Sequence, residues 1–459
     1  MKKLINLFLV AMVSVTFFAC DDDENETTPE VKGQEFTIEQ SNGMTVISGS
    51  TEEDVTLKAN TKYMLKGFVY VKDGATLNIE PGTVIMGHID ANGVNSKGTL
   101  IIERGGKIMA QGTAAKPIVF TSAKSAGQRA AGDWGGLIIL GKAPVNLGAG
   151  ARIEGGVDRE YGGTEVNDNS GVLKYVRLEF SGIAFQPDNE INGLTMGGVG
   201  AGTTIDYVQV SYGGDDAFEW FGGTVNAKHL IAYKTVDDMF DTDNGYSGKL
   251  QFLVGISDPN MADVSGSNGF ESDNDSQGSA ATPTTAPTYS NVSLFGPLGV
   301  NTAAQVNGNF KRALHIRRNN KTKLYNSIVA GWPVGLLLDG SATQGNATAG
   351  DMKIVSTVIA GIPAGKALTV ESGSAFDVAA WFNTASNKNS VVADAGTLGL
   401  TGSFMQSGNP TFTTASTSVQ PTFTGLDNSF FEQTTYVGAF GTVDWTAGWA
   451  NFNPQSTAY

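Results

Sequence analysis

Short runs in which apolar and polar residues alternate recur along the chain from about residue 44 onward, and stretches with a helical period are few. In Ala75-Thr76-Leu77-Asn78-Ile79-Glu80, Leu77 and Ile79 alternate with polar neighbours, the period of two that turns one face of a strand inward. A glycine follows, and a second short apolar run begins. The same pattern returns at Gly98-Thr99-Leu100-Ile101-Ile102-Glu103, with Leu77 and Leu100, Gly82 and Gly105, and Ile85 and Ile108 each 23 positions apart. A repeat of this length predicts a solenoid, with Leu77 and Leu100 one turn apart and strands stacked about 4.8 Å from one another.

A second set of copies has a period of 22. Val208 aligns with Leu230 and then Phe252, and Asp215-Asp216-Ala217-Phe218-Glu219 aligns with Asp237-Asp238-Met239-Phe240-Asp241. Residues 257–285, rich in Ser, Gly, Asn and Thr, read as a long excursion. Tyr289–Phe295, Leu324–Leu338 and Ile354–Val370 read as later strand pairs. Phe376–Phe382 is the best helix, with Phe376, Ala379 and Ala380 expected on its packed face. The fold expected is therefore all-β: a right-handed parallel β-helix over 63–425, preceded by an N-terminal capping segment at 37–62. A short helical excursion and an aromatic-rich C-terminal cap at 426–459 complete it, with Trp445, Trp449 and Phe452 covering the open end.

The first 19 residues break this pattern. Lys2 and Lys3 precede an uncharged apolar run from Leu4 to Phe18, too short for the roughly 20 residues a membrane-spanning helix needs and suited to a secretory leader. Cys20 is the one cysteine of the chain, which argues against disulfides, structural zinc and a thiol nucleophile. Phe17-Phe18-Ala19-Cys20 resembles a bacterial lipobox, which implies a diacylated Cys20 and anchoring to the membrane through it. The acidic stretch that follows, within a tether at 20–36, reads as solvated chain. It also resembles the export signal of Bacteroidetes surface lipoproteins, which implies the outer face of the outer membrane; a plain linker on a periplasmic protein is the alternative.

A net charge of −15 makes nucleic acid a poor partner, because that affinity comes mainly from Lys and Arg. With 59 glycines and 16% charged residues the chain favours turns and close backbone approach over surface helices.

Several segments together carry a wider resemblance: Pro117-Ile118-Val119-Phe120-Thr121-Ser122, Asp133-Trp134-Gly135-Gly136, Ile153-Glu154-Gly155-Gly156, Arg317-Arg318-Asn319 and Trp445–Gln455. They are similar to a large family of Bacteroidetes β-helix lipoproteins. That resemblance covers nearly all of the mature chain and implies the fold and an envelope location, but brings no catalytic residues. The transporter label often attached to such proteins does not suit a chain in which no membrane-spanning segment follows the leader.

The repeats place carboxylates in register. Glu219, Asp241 and Glu271 should stack on the face opposite Phe218, Phe240 and Phe270, with Asp243 over Asp273, Asp215 over Asp237 and Asp216 over Asp238. Like charges one strand apart repel, and protonation, a cation or backbone N–H groups can relieve the repulsion. Ca²⁺, which takes six to eight oxygens, is one reading; Asp and Asn bonding neighbouring turns without metal is the other, and the preferred one. The calcium-loop motif does not match, since Asp241-Thr242-Asp243-Asn244-Gly245 has its glycine one position early.

Asp215, Asp237, Asp238 and Asp241 could also serve as an acid/base set on a scaffold that hosts polysaccharide lyases and hydrolases. His88, His229 and His315 show no ligand spacing and read as structural. Arg312, Arg317 and Arg318 suit either an anionic ligand or internal ion pairs. Trp134, Trp220 and Trp332 suit either sugar stacking or core packing.

The preferred expectation is a non-enzymatic surface lipoprotein whose wall binds a glycan or an outer-membrane partner. A polysaccharide lyase or hydrolase and a purely structural envelope protein are the alternatives. Acidic residues spread along a wall would favour the first, and carboxylates converging beside a basic residue the second.

Overall fold

A computed structural model describes residues 36–41, 43–89, 97–148, 150–186, 189–301, 305–404 and 409–459; the leader, Cys20 and the acidic tether through residue 35 lie outside them. The chain coils as a right-handed parallel β-helix with three walls. The first wall includes Thr76–Ile79, Lys107–Gln111 and the N-terminal halves of Gly171–Glu179, Thr204–Ser211 and Asn226–Tyr233. The C-terminal halves of those long strands continue the second wall, begun by Val84–Gly87 and Ile118–Ser122. The third wall stacks Thr99–Ile102, Gly136–Leu140, Leu194–Gly197, Phe218–Phe221, Phe240–Asp243, Phe270–Ser272 and Arg312–Ile316.

Along the strands of the three walls alternate residues point into one continuous core. On the third wall the inward ladder runs Val69, Leu100, Leu137, Leu194, Phe218, Phe240, Phe270, Leu314, Leu336 and Leu368. Leu77 stacks on Ile108, and Leu100 stacks on Val69 and Leu137, so the two copies 23 residues apart do not occupy the same wall. The connector between Gly87 and Gly98 lengthens this coil, which places 75–86 on the first and second walls and 98–109 on the third wall and the first wall of the next coil. Leu253 rather than Phe252 lies over Leu230, because one extra residue enters the chain between Asp243 and Leu250; Phe252 takes the corner position, at φ 62°, that His229 holds one coil earlier.

That corner explains where the C-terminal segment goes. At the junction of the first and second walls Tyr175, Tyr207, His229, Phe252, Asn291, Asn326 and Ser356 all have φ between 50° and 62°, a left-handed bend that turns the chain within one residue. Their side chains form an external ladder in which Tyr207 stacks on Tyr175 at 4.4 Å and on His229 at 4.1 Å. Trp449 packs edge-on against Tyr175 and Tyr207, and Trp445 against His229. Asn291 donates to the carbonyls of Tyr436 and Gly438, and Asn326 to that of Thr422.

Trp445, Trp449 and Phe452 therefore do not plug the open end. Residues 426–459 run as a strap along the side, back toward the first coils, where Lys62 Nζ meets the carbonyl of Tyr459 at 2.6 Å. The helix Val378–Phe382 closes the main core instead, burying Val378 and Phe382 while Ala379 and Ala380 stay exposed. A second helix, Ser341–Ala349, was not legible in the sequence because Ser-Ala-Thr-Gln-Gly-Asn-Ala-Thr-Ala carries no apolar stripe. The coil also starts earlier than expected: Met44–Thr51 already pairs in parallel with Lys62–Val71, and Thr37–Ser41 adds an antiparallel strand to it.

The strap ends on a buried carboxylate. Tyr459 Oη donates to Glu179 Oε1 at 2.6 Å, and Thr121 Oγ1 donates to Oε2 at 3.0 Å. Tyr459→Phe removes one donor from a fully buried acid, and a loss of about 1.5 kcal/mol in urea unfolding is expected; an unchanged midpoint would show that the strap end adds nothing.

Candidate functional site

The outward ladder of the third wall changes character along its length. It begins with Tyr70, Ile101 and Ile138, continues through Thr195, Glu219, Asp241, Glu271 and His315, and ends with Leu337 and Thr369. The apolar start is covered by the excursion that leaves Leu140, whose Ala151, Ile153, Val157 and Tyr161 pack on Ile101, Ile138 and Phe221. The same excursion extends over the acidic part: Asn146 donates from its backbone to the carbonyl of Asn244 at 3.0 Å and from its side chain to that of Asn274 at 2.7 Å.

The register expected for the carboxylates is the one observed. Glu219, Asp241 and Glu271 are direct neighbours on successive strands, and the backbone N–H of Asp273 reaches the carbonyl of Thr242, continuing Asp243 over Asp273. In the turns, Asp216 Oδ1 accepts from the backbone N–H of Asp238 at 2.8 Å, and Asp238 accepts from that of Asn268. Asp237 accepts from Ser265 of the long excursion at 2.9 Å. Asp216 and Asp238 thus carry the turn-bonding role that needs no metal.

Charge compensation divides the ladder in two. Glu271 is met by His315, Asn268 and Arg317, and Asp273 by Arg317 and Arg318, both at 2.7 Å. These contacts hold the Glu271 carboxyl below its ordinary range despite its burial. Arg317 and Arg318 are therefore used in internal ion pairs rather than offered to a ligand.

On the other side lie Asp215, Asp216, Glu219, Asp237, Asp238, Asp241 and Asp243, together with Glu154, which the excursion adds. No ion pair within 4 Å neutralises any of these eight among the described residues. Burial, reinforced by neighbouring carboxylates, raises all of them: Glu154 to about 8, Asp237 and Asp243 each to about 7, and Asp215, Asp216, Glu219, Asp238 and Asp241 well above the carboxylate range.

Two polar atoms of the outward ladder itself lack partners among the described residues. Asp241 Oδ1 is buried and accepts no hydrogen bond, and the hydroxyl of Thr195, 1% exposed and directly beside Glu219 on the ladder, has none either. Oxygens of Asp216, Glu219 and Asp241 lie within 4.8 Å of one another, as do those of Asp238, Asp241 and Glu271, and those of Asp215, Asp216 and Asp237. Asp241 belongs to two of these groups. An all-oxygen donor set with an orphaned buried acceptor fits a hard divalent cation such as Ca²⁺, or a shared proton.

The excursion's contribution was invisible in the repeat pattern. Glu154 and Asn192, whose side-chain amide donates to Glu219, come from segments outside the coils. Glu154 did sit in a segment singled out for its resemblance, but nothing local placed it against Glu219.

The tryptophans proposed as sugar platforms are not available for that role. Trp134 is fully buried, stacks on Phe120 and donates to the carbonyl of Glu179 at 2.8 Å. Trp220 is fully buried between Phe218 and Tyr246, and Trp332 is equally enclosed. All three face inward because they occupy core positions of the coil. His229 lies in the corner stack, with Nδ1 2.8 Å from Asp206 Oδ1, and His315 braces Glu271 and Asp339. Both have the structural roles expected of them.

Three walls of parallel strands around a single apolar core define the protein as a parallel β-helix. The chain belongs to the family described as the pectate-lyase-like β-helix domain, whose model matches residues 49–450. No curated protein matches. Among solved structures it is similar to the Dettilon tailspike protein gp208, at 10% identity and a TM-score of 0.27, over 69% of this chain and 61% of that one.

Proposed function

We propose that this protein is a lipid-anchored β-helix of the outer membrane that binds a glycan through a Ca²⁺-loaded carboxylate ladder, without catalysing a reaction. The observation that carries the reading is Asp241: it has an orphaned buried oxygen and belongs to two groups of three converging carboxylates, of which only Glu271 meets a basic side chain among the described residues. A cation there would be held by Asp216, Glu219, Asp238, Asp241 and Glu271, and would supply charge neutralisation and coordination positions for sugar oxygens. Asp237, Asp241, Asp243 and Glu271 are partly exposed, so the rim of the cluster meets solvent. Membership of a pectate-lyase-like family supports a glycan as ligand. The lipobox-like Cys20 and the acidic residues after it support anchoring at the cell surface.

A second reading, glycan processing, is favoured by one feature. The carboxylates converge beside basic residues instead of spreading along the wall, and Glu154 shares protons with Glu219, leaving a protonated acid beside ionisable neighbours. Arginine-assisted proton abstraction is not supported, because Glu271 and Asp273 hold Arg317 in its charged form.

The full chain in detergent should retain acidic or neutral oligosaccharides on a glycan array in Ca²⁺, and lose at least about tenfold of that affinity in EGTA. Retention of no glycan under either condition would overturn the binding reading. Unsaturated or shortened products would overturn the non-catalytic part of it.

A further inference from the structure

A cavity of about 530 Å³, within the size range of ligand sites, opens near the last coils and contains no residue of the carboxylate ladder. Its walls come from the helix Ser341–Ala349, the strand Lys353–Val355, the turn after Val378–Phe382, and the segment at Thr422 and Thr424 that leads into the strap. Tyr325, Val355 and Trp381 give it an apolar side. Trp381 is partly exposed, and its indole N–H donates to the carbonyl of Ala347 at 3.1 Å, which fixes the ring against the helix Ser341–Ala349. Asn387 is likewise fixed, donating to the carbonyl of Trp381 at 3.1 Å.

The charge of this cavity is opposite to that of the protein. Lys353 and Lys388 line it, both exposed, in a chain of net charge −15. Neither makes an ion pair within 4 Å among the described residues. Lys353 stacks in register on Lys323, a like-charge neighbour that weakens the site unless an anion is shared. The nearby carboxylate, Asp351, pairs with Lys321 at 2.9 Å and acts on Lys323 and Lys353 only from beyond ion-pair distance. Lys388 is held at φ 55°, a conformation that costs a non-glycine residue energy and that the surrounding turn imposes.

An aromatic ring beside fixed amide and hydroxyl groups matches a sugar ring, whose apolar face stacks and whose hydroxyls hydrogen-bond. Two unpaired ammonium groups add a preference for an acid substituent. We propose that this cavity binds an acidic sugar unit of a polysaccharide, with the ring on Trp381 and its carboxylate or sulfate between Lys353 and Lys388, and that it does so without Ca²⁺. This rests on the reading of the protein as glycan-binding and adds a subsite independent of the ladder.

Isothermal titration calorimetry on the full chain in EGTA tests it, using a hexuronate oligomer, a sulfated oligomer and a neutral oligomer of equal length. At least one acidic oligomer should bind, at least about tenfold more tightly than the neutral one. Trp381→Ala and the pair Lys353→Gln with Lys388→Asn should each weaken it by about tenfold or more. Asn tolerates the left-handed backbone at 388, so the lysine pair decides the matter if Trp381→Ala fails to fold. Equal binding of acidic and neutral oligomers, or full binding by the lysine pair variant, would overturn the proposal. Binding that appears with Ca²⁺ alone and vanishes in Asp241→Asn would overturn this cavity's role and leave the ladder reading standing; no binding with or without Ca²⁺ would remove both.

Discussion

Asp241→Asn should unfold at higher urea than the parent in EGTA at pH 8, and should lose the stabilisation by Ca²⁺ that the parent shows. The side chain is raised in pKa by burial first, then by Glu271, Asp238, Asp273 and Asp243. The metal-free protein must either bear that repulsion or take up a proton from dilute solution. An amide supplies a neutral isostere, and Oδ1 loses no hydrogen bond because it accepts none. A gain of roughly 2 kcal/mol is expected. In the parent, Ca²⁺ at about a hundredfold over its dissociation constant should add about 2.7 kcal/mol, which the variant forfeits because Asp241 is common to two of the cation groups. A variant that unfolds earlier in EGTA, or keeps the full Ca²⁺ gain, would show that the ladder is not a cation site.

Without Ca²⁺, stability should fall as pH rises from about 4 to about 8. Glu154 is held at about 8 and Asp237 and Asp243 at about 7 in the folded chain, whereas the unfolded chain releases these protons near pH 4. Between those limits the folded state binds more protons than the unfolded state, so the slope of stability against pH is negative; above the folded values it levels off. Because the groups share protons and their surroundings relax, the three together are assigned at least about 4 kcal/mol over the window rather than the full sum. Ca²⁺ competes with protons for the same oxygens and should flatten the curve, with its largest effect at the alkaline end. Urea midpoints at pH 5, 6.5 and 8, with Ca²⁺ and with EGTA, measure both effects. A metal-free midpoint that is flat or rises with pH would show that the carboxylates are relieved by contacts within the protein.

Much of this architecture was legible in local pattern. Alternation at Leu77 and Ile79 and recurrence at Phe218, Phe240 and Phe270 predict stacked strands because a coil cannot bury its apolar face alone. The vertical pairing of Glu219, Asp241 and Glu271 followed from the same register. Parallel in-register stacking converts a sequence period directly into a spatial neighbour, and that made the ladder readable.

What the period could not carry was decided by tertiary structure. Leu77 and Leu100 lie on different walls because the coil from Leu77 to Ile108 is longer than the repeat, and one extra residue between Asp243 and Leu250 shifted the copy at Phe252 by a position. Trp134 and Trp220 point inward because the closed coil leaves those positions no other side. The strap runs along the aromatic and asparagine corner, a surface that exists only after the coils have stacked.

The site shows the same division. The sequence alone determined that carboxylates would line one wall. Which of them Arg317 and Arg318 would neutralise, and that Glu154 would close over the remainder, depended on excursions of the chain that obey no repeat. Burial and the positions of charges brought from distant segments, rather than spacing, set how strongly each acid holds its proton or a cation.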